Sequence, residues 1–182
     1  MTTLGLVETK SIAAGVQVAD QMMKQAEVSL VRAGTICSGR YLIHVAGERE
    51  DVKIALSAAR ESGVSLAGFF LISNISSQVL AALKGRDAAE KHHALGLVEC
   101  RTASSGIAGA DAAVKAAGVI LAKLVTGQGI MGKSYFVLAG ELASVEAGNE
   151  AAVSCLKKHL INTVVIPSPD ESVMKALINI KR

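Results

Sequence analysis

The sequence has no Trp, 3% aromatic residues and two prolines, so its 51% hydrophobic content is mainly Ala, Val, Leu and Ile. Small side chains let helices lie close on a sheet but give each folded half little burial free energy of its own. Such a chain gains by covering more surface against neighbours, which predicts an oligomer. Charge of either sign is scarce in excess. A formal net charge of +3, with no Lys/Arg cluster carrying stacking aromatics, argues against nucleic acid as a partner. Long apolar runs are missing too, being broken by Lys115 and Lys123, so no membrane span is expected. The opening Met1-Thr2-Thr3-Leu4 lacks the basic and apolar regions of an export signal. Three cysteines, an odd number, therefore read as reduced cytoplasmic thiols and not as a disulfide framework.

What the sequence does contain, it contains twice. Leu4-Gly5-Leu6-Val7-Glu8 returns letter for letter as Leu95-Gly96-Leu97-Val98-Glu99. Gly15, Ala19, Asp20, Lys24, Ala26 and Val28 meet Gly106, Ala110, Asp111, Lys115, Ala117 and Val119 at the same spacing. Farther on, Ala46-Gly47-Glu48 matches Ala139-Gly140-Glu141 with the spacing about two residues longer, which puts the inserted residues around Thr126 to Met131. The period suits a small domain better than a solenoid repeat. The chain is a tandem duplication, expected to divide into residues 1–90 and 91–182.

Each half reads as βαββαβα. In the first, strands are expected at Thr3–Glu8, Val28–Ile36, Tyr41–Val45 and Leu66–Ile72. Helices are expected at Ser11–Ala26, with Ile12, Val16, Ala19, Met23 and Ala26 on one face, and at Glu48–Glu61, with Val52, Ala55, Leu56 and Ala59 inward. A short helix comes after Ser76, and the polar stretch from Gly85 to His93 carries the boundary. The second half replays the order, with strands at Leu95–Glu99, Val119–Val125, Ser134–Leu138 and Thr163–Ile166. Its helices are expected at Ser104–Ala117 and Leu142–His159, and from Asp170 to about Leu177. Pro167 stops the last strand, since proline cannot donate to a ladder. Two such units make an α+β protein of ferredoxin-like character.

The loop Gly127-Gln128-Gly129-Ile130-Met131-Gly132-Lys133-Ser134 fits the phosphate-cradling pattern G-x-x-x-x-G-K-[ST] in full. A nucleotide-binding enzyme would need that loop to open a helix, whose free N–H groups hold the anion. Here an apolar β run comes next, Ser134-Tyr135-Phe136-Val137-Leu138, so the loop reads as a glycine-rich hairpin tip. No nucleophile triad or carboxylate pair stands out either, which weakens a hydrolase reading.

Cys37 can be read in two ways: a small hydrophobe ending a strand, or an exposed thiol at the hairpin tip Cys37-Ser38-Gly39. One cysteine cannot hold a metal cluster, but three copies about a threefold axis would bring three thiolates together for iron or zinc. Cys100 and Cys155, in a strand end and a helix, read as inert packing thiols. His44 falls in a strand. His159 falls near a helix end, where a cation favours the dipole. His92 and His93 are adjacent and point apart in an extended chain. All four read as structural or solvated. Asp20–Lys24 and Asp111–Lys115 are i,i+4 pairs on equivalent helices, either simple surface support or a face that meets a neighbour.

Taken in order, Leu4 to Lys10, Ala19-Asp20 with Lys24, Ile36-Cys37-Ser38-Gly39 and Val165-Ile166-Pro167-Ser168-Pro169 resemble the bacterial microcompartment shell proteins, once per half. Two fused domains resemble the tandem class, and the Cys37 loop resembles the T-type shell proteins of propanediol-utilisation compartments. The resemblance implies a non-enzymatic homotrimer forming a pseudo-hexameric tile in a cytoplasmic compartment shell. It implies one 4Fe-4S cluster per trimer on three Cys37 ligands, for electron transfer across the shell, with a fourth iron ligand from elsewhere. The same tile without a cluster would be a metabolite pore lined by Ile36, Ser38, Gly39, Gln128, Gly129, Ile130, Met131 and Gly132. It further implies that Lys24 and Lys115 meet other shell proteins edge to edge, with a lumenal redox enzyme as a further partner. Ser168 departs from the pattern, standing where many tiles have an edge arginine, and Ser73-Asn74-Ile75 lacks the prolines.

Overall fold

In a computed structural model, residues 3–85 and 93–178 are described. The chain runs β1 (Thr3–Thr9), α1 (Ile12–Gln25), β2 (Ser29–Ile36), β3 (Arg40–Gly47), α2 (Arg49–Glu61), β4 (Leu66–Ile72) and α3 (Ser77–Leu83). It then repeats the order as β5 (Ala94–Cys100), α4 (Ala103–Ala116), β6 (Ile120–Thr126), β7 (Ser134–Gly140), α5 (Leu142–Leu156), β8 (Leu160–Pro167) and α6 (Glu171–Ile178). The expected βαββαβα pattern is present in both halves. Most of the connector expected to carry the boundary, including His92, lies outside the described residues.

Two antiparallel sheets result, in the orders β2-β3-β1-β4 and β6-β7-β5-β8. Their registers are copies of one another: Leu4 faces Ala46 across the first sheet, and Leu95 faces Ala139 across the second. Contacts gather the chain into two compact units whose borders are not those of the duplicated sequence. Unit 1 holds Met1–Ile75 together with Thr102–Ser105 and Thr126–Lys133, while unit 2 holds Ser76–Arg101, Gly106–Val125 and Ser134–Arg182. The helix α3, encoded after the first sheet, is thus part of unit 2, and the glycine-rich loop is part of unit 1.

In unit 1, Val18 and Met22 of α1 and Val52, Ala55, Leu56 and Ala59 of α2 pack on Val7, Ile43 and Val45 of the sheet. Ser11 caps α1 by accepting the Ala14 N–H at 3.4 Å. The inward face of α2 is the expected one, but that of α1 is rotated. Gly15, Val18, Ala19 and Met22 are buried, whereas Ile12 and Val16 are 42% and 52% exposed. The reason is a close helix–strand approach at Gly15, where an added Cβ would lie 2.4 Å from Tyr41 Cβ. Gly106 does the same in unit 2, where a Cβ would come 2.1 Å from Ser134 Oγ. Alanine in an unhindered helix interior gains about 0.5–1 kcal/mol over glycine. Gly15→Ala is nevertheless expected to lose about 1–3 kcal/mol by overpacking. A denaturant titration in which the variant is the more stable protein would show that this contact is not tight.

In unit 2, Met174, Leu177 and Ile178 of α6 pack on Leu95, Ala122, Val137 and Ala139. Lys123 is 1% exposed, and its Nζ donates to the carbonyl oxygens of Leu177 at 3.1 Å and Ile178 at 2.6 Å. A buried ammonium thus meets the carbonyl end of α6, where a cation is favoured. The helix expected to reach His159 ends earlier. Lys157 takes φ 49°, and Lys157–His159 form a 3-10 turn. The last strand begins at Leu160 and includes Pro167, whose missing N–H falls at the strand's end on the sheet edge. Asp170 caps α6 as expected, accepting the Ser172 N–H at 2.8 Å, and the Ser172 hydrogen bonds hold its carboxyl below the usual range.

Candidate functional site

The tip between β2 and β3 is one turn of 3-10 helix, Cys37–Gly39, in which Ser38 (φ 70°) and Gly39 (φ 66°) are left-handed. Cys37 is half-buried, and Ser38 and Gly39 are exposed. Ile36 is buried and packs with Leu42 and Ala103, so in the single chain it supports the tip from beneath. Beside it runs the 126–133 loop, closed by Gly127 N–H to Lys133 O at 2.8 Å and by Lys133 N–H to Ile130 O at 3.1 Å. In that loop Gln128, Gly129 and Met131 are exposed, Ile130 is intermediate and Gly132 is buried. The loop enters strand β7, not a helix, so it presents no helix N-terminus to an anion. The phosphate-cradle likeness is one of sequence alone.

Three ties hold the two loops together. The Gly129 N–H donates to Cys37 Sγ at 3.1 Å, and Gln128 Nε2 donates to Thr35 O at 3.3 Å. The third tie runs through Glu8, a carboxylate with no accessible surface. Arg40 Nη1 donates to Glu8 Oε1 at 2.9 Å and reaches Gly132 O at 3.5 Å. Glu8 Oε2 accepts from the N–H and hydroxyl of Ser104, at 3.2 and 3.1 Å. One buried anion therefore anchors the start of β3, the 102–105 segment and the glycine-rich loop. Sequence reasoning missed this knot. Its one signal was an acidic residue closing the buried strand of the repeated pentapeptide, where an unpaired charge would be very costly.

The other expected residues are spread over both units. Lys24 pairs with Asp20 at 2.6 Å on an exposed stretch of α1, and Lys115 pairs with Asp111 on α4. Cys100 is fully buried, and burial pushes its thiol up to about 12, which suits an inert role. Cys155 is exposed on α5 and not packed as expected, with Sγ 3.8 Å from Ala108 O. His159 is not favoured as a cation. Burial, then Lys158 and Arg101, push its pKa down. His93 sits 3.9 Å from Glu141, both exposed. His44 is buried in β3, its Nε2 has no hydrogen-bond partner, and burial with Arg32 lowers its pKa to about 4.

Residues 3–79 and 94–169 each match the family model described as the BMC domain. The chain therefore belongs to the BMC-domain family, the shell proteins of bacterial microcompartments, and carries the domain twice. It is 36% identical to the bacterial microcompartment shell protein PduT of Citrobacter freundii, over 96% of this chain and 97% of that one. It is 28% identical to the carboxysome assembly protein CcmO of Synechococcus elongatus, over 96% of this chain and 68% of that protein. A crystal structure of a microcompartment protein from Desulfitobacterium hafniense shares 35% identity and a TM-score of 0.79, covering 96% of this chain and 99% of that one. Members of this family are structural shell components and not enzymes. Among the described residues, no helix is long and apolar enough to cross a membrane.

Proposed function

We propose that three copies of this chain form a pseudo-hexameric tile of the compartment shell, with Cys37 of each copy converging on the axis to hold a 4Fe-4S cluster. The observation that supports it most is the backbone N–H of Gly129 aimed at Cys37 Sγ on a half-open tip. Hydrogen bonds to cysteine sulfur are among the controls on cluster potential. Among the described residues, no three His, Cys, Asp or Glu side chains of one chain lie together for a metal. A cluster here would take one thiolate from each copy, which suits the duplicated chain. When bound, it supplies one-electron transfer, here across the shell. Cys37 is the ligand and Gly129 its hydrogen-bond donor, while Arg40 and Glu8 keep both loops in place. Lys24 and Lys115 serve contacts with other shell proteins, and a lumenal redox enzyme is the electron partner.

Cys37→Ala is expected to abolish the brown colour of anaerobically reconstituted protein while leaving the trimer intact. Colour that survives the change removes Cys37 as the ligand. A second reading, favoured by the exposed Ser38, Gly39, Gln128 and Gly129, is a cluster-free tile with these tips around a metabolite pore. Iron and sulfide analysis of anaerobically prepared wild type separates the two.

A further inference from the structure

The duplication allows one cleft to be compared in two versions, that between the second helix of each half and the last strand of its sheet. In unit 1 large side chains occupy it. Leu56 of α2 is buried, and Arg60 of the same helix stacks on Phe69 of β4, its guanidinium carbon 4.3 Å from the ring centre. Such a contact is favourable in its own right. At the rim, Lys53 is paired with Glu50 at 2.7 Å.

In unit 2 all of these residues differ. Asn149 takes the place of Leu56: a Cβ on Gly5 would meet Leu56, and one on Gly96 would meet Asn149. Thr163 takes the place of Phe69, since it faces Val98 as Phe69 faces Val7. Along the helix, Val153 replaces Arg60, Glu146 replaces Lys53 and Glu150 replaces Ser57. Ring and guanidinium are gone. A groove of about 690 Å³ lies there instead, with Glu146, Asn149, Glu150 and Val153 of α5 and Thr163 and Val165 of β8 in its lining. That volume is within the range of small-molecule sites.

The charge of this groove is unbalanced. Glu146 and Glu150 are exposed and one helical turn apart, and neither has a hydrogen bond or ion pair among the described residues. Like charges at that spacing repel. Asn149 is 5% exposed; its Nδ2 donates to Thr163 Oγ1 at 2.8 Å, but its Oδ1 has no donor. A buried acceptor left unpaired is costly, and its partial negative charge adds to that of the two carboxylates. Among the described residues, no third ionisable ligand joins them, so the pair suits an ammonium group better than a metal ion. We infer that the groove binds a small organic cation, a primary amine with a short apolar body. Its ammonium is held by Glu146 and Glu150, and its alkyl part lies against Val153 and Val165. The site is built within unit 2 and is independent of the cluster and of the three-copy reading.

The test is an amide NMR titration of the deuterated full chain with n-butylammonium chloride, set against 1-butanol and sodium chloride. Saturable shifts are expected at Glu146, Glu150, Thr163 and Val165 with the amine, and none with sodium chloride. Glu146→Gln combined with Glu150→Gln is expected to weaken amine binding about tenfold, the loss of two exposed ion pairs. Asn149→Leu, Val153→Arg and Thr163→Phe together rebuild the filling of unit 1 and are expected to abolish the shifts while both glutamates remain. Shifts that are absent, that rise without saturating, or that 1-butanol reproduces at equal concentration overturn the assignment. So does binding that survives the refilled groove. The glutamate changes, at exposed positions, test the site even if the refilled variant does not fold: affinity unchanged by them overturns it alone.

Discussion

Arg40→Leu is expected to destabilise the protein by about 3–5 kcal/mol, the cost of leaving one member of a buried ion pair without its partner. Glu8 has no accessible surface, and its remaining donors in the knot would be the N–H and hydroxyl of Ser104. The loss is expected to exceed that of an ordinary surface arginine because Arg40, a quarter exposed, also reaches Gly132 O. The glycine-rich loop should therefore loosen before the sheet does, which hydrogen exchange at Gly127 and Gly132 would register. Chemical denaturation of Arg40→Leu, Glu8→Leu and the double variant settles the energetics. The double is expected to cost much less than the sum of the singles, since it strands no charge. Additive losses would show that the two side chains act independently.

A loss of about 3 kcal/mol is expected as pH falls from 6.5 to 4, with His44 as its source. The folded-state pKa is lowered to about 4 from the ordinary histidine value of 6.5, chiefly by burial and then by Arg32. Between those values the unfolded chain binds the proton and the folded chain does not, so stability rises with pH across that window. The full contribution is present above 6.5, is lost on the way down to 4, and changes no further below. The chain supplies its own control, because the position equivalent to His44 in the second sheet is Val137, also fully buried and facing Leu97 as His44 faces Leu6. His44→Val should flatten this part of the pH profile and remove a buried nitrogen that has no partner. An unchanged slope in the variant would assign the acid sensitivity to other groups.

The architecture was legible because the duplication states every element twice. A pentapeptide found in both halves fixed a buried strand, and paired helix starts fixed the order of the later elements. The inward face of α1 was not legible. Ile12 and Val16 obey helical periodicity, but periodicity identifies an apolar stripe without naming what covers it. The knot at Glu8 was hidden for a related reason, since its partners Arg40, Ser104 and Gly132 are far apart in the chain and meet only once the loops fold. Cys37 was visible from its place in a turn, whereas the Gly129 N–H beside it depends on a loop whose glycines resemble a phosphate cradle. That likeness failed on one local fact: Ser134 starts a strand.

The two hairpin tips of this chain have diverged, one a tight turn bearing a thiol and the other a longer glycine-rich loop. In an assembly of single-domain subunits, any substitution at the tip is imposed on every lobe. Fusion halves that multiplicity. In the three-copy tile proposed above, a sulfur would stand at alternate lobes while the intervening ones keep small, pliable backbone, so reactivity and clearance would be open to separate selection.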